Sequence, residues 1–375
     1  MSQDPPAPAP LIAALPQSRP FVAPEELARL AGRASLVRLG ANESAFGPPP
    51  AALAAMQTEL AHTAWYGDPE SMELRTALAA RHGCDVDNIT VGAGIDDLLG
   101  LAVRGYLAPG DVAVATLGSY PTYAYHVTGY GAHLETVPYL PNGAIDLEAL
   151  AAAAHRTNAR HVYLANPDNP SGSFAAPSDV RAFAQSLPEG ALLVLDEAYG
   201  DFVAREDLLP DAIAPRIVRM RTFSKAYGLA GARIGYCLAD PAVIATFAKI
   251  RLQFGVNRTA QIGALAALDE NDFVAGVVAE VARGRAEYHA LGERLGLATL
   301  PSQTNFVCFD LGSRMRAEAM VAALLQLGVF VRKPGAPPLD GHIRVTVGRA
   351  NERTAFAESL AEALGILDAN PISCP

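Results

Sequence analysis

A lysine amine becomes a nucleophile only when it sheds its proton near neutrality, which burial or a neighbouring cation brings about. Lys225 stands where both are at hand. It ends the apolar run IVRMRTFSK, and Arg233 follows eight residues later across a glycine-punctuated loop. Thr222 and Ser224 place hydroxyls beside it. Hydroxyls and an arginine make a phosphate cradle, and the lysine then reaches an aldehyde on the same molecule. The segment GAGIDD (92–97) follows an apolar run and opens a helical one, so backbone amides at Gly94 and Ile95 can also face a phosphate. It is no dinucleotide fingerprint, because the third glycine of that pattern would fall on Asp97.

These residues need elements to aim them. ITVGAG, DVAVATLG, ARHVYLANP, ALLVLDEAY and IVRMRTFSK read as short strands, separated by helical stretches such as DDLLGLAVRGYL, DLEALAAAAHR and SDVRAFAQSL. Such alternation predicts a mainly parallel sheet covered by helices, with ligands outside the carboxyl ends of its strands. Asn166–Asn169, Asp196–Tyr199 and Ser224-Lys225 each follow a strand, so separate segments converge on one edge. A helix is expected from Pro24, with Glu25 and Glu26 in its first turn. After about residue 260 a long helical region (260–295) leads into NFVCFDL, a helix, the strands VFVRKPG and GHIRVTVG, and a closing helix. That mixture predicts a smaller α+β domain.

The chain has 375 residues, half of them hydrophobic and 18% charged, which suits two folded domains. A net charge of −10 without a basic cluster excludes nucleic-acid binding as an expectation. Cys84, Cys237, Cys308 and Cys374 show no ligand spacing, and the eight histidines form no metal motif. We expect buried thiols with one in the tail, no metal, and a reducing cytoplasm. The opening Pro/Ala-rich twenty residues read as an extended arm rather than a signal peptide, and no apolar run would span a membrane.

The run TFSKAYGLAGARIGY resembles the lysine signature of fold-type I pyridoxal-phosphate (PLP) aminotransferases, most closely their histidinol-phosphate branch. The resemblance extends from GANESAFGPPP to HIRVTVG in the family's order. It implies an α/β PLP-transferase fold, with a seven-stranded, mainly parallel sheet in a large domain and a smaller α+β domain. The boundaries expected are 1–20 for the flexible arm, 21–45 for a segment joining the small domain, 46–260 for the large domain and 261–375 for the small one.

Carried over residue by residue, the resemblance makes Lys225 the Schiff-base lysine. Asp196 becomes the carboxylate under the ring nitrogen, and Tyr199 and Asn169 the partners of the phenolic oxygen. It adds Tyr123 as the stacking aromatic, Asp96 as a motif acid, and Tyr66 as a tyrosine reaching a partner subunit's phosphate. For the substrate it implies Asn42, Asn169, Arg344 on the α-carboxylate, and Arg332 near the far end, with Lys333 a competitor for a substrate phosphate. Gly67, Ile95 and Arg349 depart from the family's usual proline, small residue and threonine. The implied activity is ping-pong transamination between histidinol phosphate (or imidazole acetol phosphate) and glutamate or 2-oxoglutarate, in a homodimer. Alternatives within reach are an aromatic amino-acid aminotransferase and a PLP lyase resembling threonine-phosphate decarboxylase.

Overall fold

The computed structural model describes residues 5–15, 22–210 and 213–369; Cys374 and parts of the expected arm lie outside them. Seven strands form one sheet: β1 (Ile89–Gly92), β2 (Val112–Thr116), β3 (His133–Val137), β4 (His161–Ala165), β5 (Leu192–Asp196), β6 (Ile217–Thr222) and β7 (Gly235–Leu238). Their order is β1-β7-β6-β5-β4-β2-β3. All neighbours run parallel except β7, which is antiparallel to both β1 and β6. The central strands are buried along their whole length, as a sheet covered on both faces requires.

Two of these strands escape the periodicity of the sequence. β3, HLETV, is an edge strand that is largely accessible until Val137. β7 is only four residues long and follows directly on the lysine loop. The reversal of β7 matters for the site. Its amino end, not its carboxyl end, lies at the functional edge, where Gly235 pairs with Gly92 on one side and Thr222 on the other. Arg233, just before β7, thereby joins residues that follow β1 and β6.

Helix signals in the sequence hold closely. Helices span Pro24–Leu30, Ile95–Tyr106, Leu147–Thr157 and Pro177–Ser186. Asp146 caps the third of these by accepting from Ala149 N, at 2.9 Å. The long helical region divides into Arg258–Leu268 and Asn271–Leu295. Within residues 1–20, expected to be extended or mobile, Pro10–Ala13 makes one helical turn with a proline in its first turn. Proline is tolerated there because the first amides of a helix have no internal partner.

Beyond the large sheet, Phe306–Asp310 pairs antiparallel with His342–Thr346, and Val37–Arg38 pairs parallel with Val329–Phe330. VFVRKPG is thus a strand for two residues only. Tyr199 and Ala226 pack into the apolar cluster built on Phe306–Phe309, so the residues beside the lysine touch the C-terminal elements directly. Cys237 and Cys308 are buried free thiols, and Cys84 is partly buried. Among the described residues no helix is long and apolar enough to cross a membrane, and no cluster could hold a metal.

Candidate active site

The parallel strands release their loops at one edge, and a cavity of about 540 Å³ opens there. Asn42, Ile95, Asp96, Asn169, Asp196, Tyr199, Thr222, Ser224, Lys225, Arg233, Arg332 and Arg344 all line it. Segments far apart in the chain therefore meet as the strand-end argument requires.

Lys225 Nζ donates to the carbonyl of Asn42 at 3.1 Å and lies 5.6 Å from the centre of the Tyr199 ring. Burial, followed by the charge of Arg344, brings its amine down to about 8. The proton-free nucleophile is thus accessible near neutrality. Beside it, Ser224 N donates to Thr222 Oγ1 at 3.0 Å, which fixes both hydroxyls at the end of β6.

Arg233 adopts a left-handed backbone conformation and donates to Asp96 Oδ2 at 3.1 Å. Gly94 makes room for it: with φ at +87°, a Cβ there would come within 2.6 Å of Arg233 Nη2. Ile95, where the family has a small residue, turns its side chain into the apolar core under the helix it begins. Its backbone remains at the cavity. At Gly67 a Cβ would meet Gln261 Nε2 at 2.7 Å. Arg349 donates to Ala45 O at 2.7 Å and ties down the N-terminal segment.

Asp196 is buried at the end of β5, accepting from Ala198 N at 2.9 Å and from the Tyr163 hydroxyl at 2.7 Å. Burial pushes its carboxyl up to about 6 despite these two donors. Behind it, Glu197 accepts from Arg219 and Arg221 at 2.9–3.0 Å, with Glu197 and Arg219 almost wholly buried. Glu197→Ala should lower unfolding stability by about 3–5 kcal/mol, because it strands two guanidinium groups. Urea denaturation would measure this, and a loss below about 1 kcal/mol would contradict it.

The NPDNPSG turn is built by its own side chains. Asn166 exchanges both of its amide hydrogen bonds with the backbone of Ala175, and Asp168 accepts from Ser171 N, Ser171 Oγ and Tyr139. This leaves Asn169 free to face the cavity, where its Oδ1 accepts from Arg344 Nη1 at 2.5 Å. Arg344 also donates to Gly40 O at 3.1 Å, while its buried Nε has no partner. Arg332 and Arg344 form an antiparallel bridge, with Arg344 N donating to Arg332 O at 2.6 Å. Residues opposed in this way send their side chains to the same face. Arg332 Nη2 also reaches Val22 O at 3.2 Å. Lys333 lies at the cavity too, but its Nζ is 3.5 Å from Glu318.

Two expectations change, those for Tyr123 and Asn42. Tyr123 does not line the cavity; it is 1% exposed and stacked on Tyr163, with centroids 4.6 Å apart. It lies one turn into the helix Pro121–Gly129, on the side facing the sheet core. From this segment it is Tyr120 that reaches the cavity; it precedes that helix and donates to Asp96 Oδ1 at 2.7 Å. Tyr66, expected to serve a partner subunit's site rather than this one, lies outside this cavity, 78% exposed and stacked on Phe254.

Asn42 lines the cavity, but its side chain is engaged by the protein. Its Nδ2 donates to Tyr199 Oη at 2.8 Å and its Oδ1 accepts from Thr346 Oγ1 at 3.1 Å. Asn42 therefore holds Tyr199 and, through its carbonyl, Lys225; it is not a free substrate ligand. Tyr120, Tyr163 and Asn305, which donates to Asn42 O at 3.1 Å, were missed. Only Tyr120 left a hint, as the aromatic next to the proline that starts a helix.

This set fits a phosphorylated aldehyde with a basic ring nitrogen. Lys225 could hold the aldehyde, Asp196 the ring nitrogen, and Thr222, Ser224, Arg233 and the Gly94-Ile95 backbone the phosphate. The family model described as aminotransferase class I and II matches residues 34–364. A histidinol-phosphate aminotransferase of Pseudomonas fluorescens is 39% identical over 88% of this chain and 90% of its own. One from Symbiobacterium thermophilum is 39% identical over 91% of this chain and 94% of its own. The crystal structure of the Sinorhizobium meliloti histidinol-phosphate aminotransferase in complex with pyridoxal-5'-phosphate superposes with a TM-score of 0.92. It is 46% identical and covers 96% of this chain and 97% of that one. On its strand-end lysine, its sheet and these matches, the chain belongs to the family of class I and II aminotransferases.

Proposed function

We propose that this aminotransferase exchanges the amino group of histidinol phosphate with 2-oxoglutarate, using PLP. The carrying observation is the pair Arg332 and Arg344, bridged side by side in the lining of the lysine cavity. Burial and then Arg344 lower the basicity of Arg332, so the two like charges are held together at a cost. A phosphate dianion offsets that repulsion better than a carboxylate does. The names of the relatives agree with this choice of substrate.

PLP, when bound, supplies an aldehyde for the amino group and a ring that withdraws electrons from the substrate Cα. Asp196 would hold a proton at the ring nitrogen, while Tyr199, steadied by Asn42, and Asn169 would serve the phenolic oxygen. Lys225 Nζ would take the proton from the substrate Cα. Its neutral form near pH 8 suits it to that role. Arg344 fixes the anionic group that orients the Cα–H bond toward Lys225.

The same reading takes the active protein to be a homodimer. Trp65, Tyr66, Leu252 and Phe254 are all more than half exposed, and an apolar surface of this kind suits a partner subunit. It divides the chain near residue 260 and places the protein in a reducing cytoplasm, consistent with the free thiols of Cys237 and Cys308. Half-reaction spectra with histidinol phosphate, phenylalanine, tyrosine and threonine phosphate test the substrate. Conversion should be fastest with histidinol phosphate. Preference for phenylalanine or tyrosine would reject the phosphate assignment, and carbon dioxide release from threonine phosphate would reject transamination.

A further inference from the structure

We propose that Tyr163 is a positioning residue that keeps Asp196 ionised and so sets the pH range over which the site accepts PLP. This rests on the reading of Asp196 as the partner of the ring nitrogen. Ala165 pairs with Asp196 across β4 and β5, and Tyr163, two residues earlier, shares its face of the sheet. The Tyr163 hydroxyl thereby meets Asp196 Oδ2 at 2.7 Å, while Ala198 N serves the other oxygen. The ring has little freedom, since it is 1% exposed and stacked on Tyr123 at an interplanar angle of 18°.

Burial, with the adjacent Asp196 charge, keeps the phenol protonated. It therefore acts as a donor to a group that, when ionised, can only accept. The other charged groups facing Asp196 are Asp96 from the helix Ile95–Tyr106 and Lys225 from the loop after β6. The phenols of Tyr120 and Tyr199 also lie within its electrostatic reach. Burial and Asp96 favour the neutral acid, whereas Tyr163, Ala198 N and Lys225 favour the carboxylate. The balance falls close to neutrality, so one donor can decide it.

The test is PLP titration of the full-length apoprotein between pH 5.5 and 8, followed by absorbance, for wild type, Tyr163→Phe, Tyr123→Phe and Asp196→Asn. Tyr163→Phe removes only the hydroxyl and leaves the stack. Losing a hydrogen bond to a charged group should weaken PLP binding about tenfold near pH 6.5. Sign and window follow from the carboxylate: the ratio to wild type should close toward pH 8, where Asp196 is ionised in both proteins. Tyr123→Phe, whose hydroxyl faces His161, should track wild type at every pH. A Tyr163→Phe ratio that is flat with pH, whether at unity or at a constant loss, overturns the proposal. Wild-type affinity in Asp196→Asn overturns instead the ring-nitrogen reading beneath it.

Discussion

Replacing Lys225 with alanine should reduce turnover by roughly 10³-fold or more, because in the proposed mechanism one side chain both holds the cofactor and moves the proton. Borohydride reduction followed by mass spectrometry separates this from simple unfolding. The wild-type peptide containing Lys225 should gain the mass of the reduced cofactor, and the variant should gain none anywhere. The lowered basicity of Lys225 adds a pH signature. Only the neutral amine attacks an aldehyde, so PLP capture by the apoprotein should rise about tenfold per pH unit below about 8 and level off above it. Full turnover in Lys225→Ala would overturn the mechanism, and a capture rate independent of pH would remove the role given to burial and Arg344.

Arg344→Ala should lower kcat/KM by roughly 10²–10³-fold, carried mainly by KM, since truncating a buried charge clamp costs about 2–5 kcal/mol. Arg344→Lys should recover little of this, because a point charge cannot reproduce a planar fork that spans Asn169 and Gly40 while keeping Nε for a ligand. The measurement is initial-rate kinetics on both substrates, with melting temperature recorded alongside. Unchanged KM values in a folded Arg344→Ala protein would exclude it as the anion clamp.

Legibility differed with the range of the interaction. Lys225, Thr222, Ser224 and Arg233 lie within one short stretch, and local strand-and-loop pattern was enough to bring them to the sheet edge. Tyr123 and Tyr120 are three residues apart around the start of one helix. Nothing local separates them, and the packing of that helix on the sheet assigns Tyr123 to the core and Tyr120 to the cavity. Asn42 was correctly placed near the site, but its partners Tyr199, Thr346 and Lys225 come from three distant segments.

By itself the sequence determined the chemistry of Lys225: its type, its place after an apolar strand, and the alternation that makes such strands parallel. Those features depend on side-chain identity and short-range periodicity, which a chain carries whether or not it is folded. The tertiary structure alone decided what the lysine meets. The reversal of β7 brings Arg233 back to the edge, the bridge of Arg332 with Arg344 sets two guanidinium groups on one face, and the register of β4 with β5 sets Tyr163 on Asp196. Strand pairing is non-local, and a shift of one residue would turn each of these side chains to the opposite face.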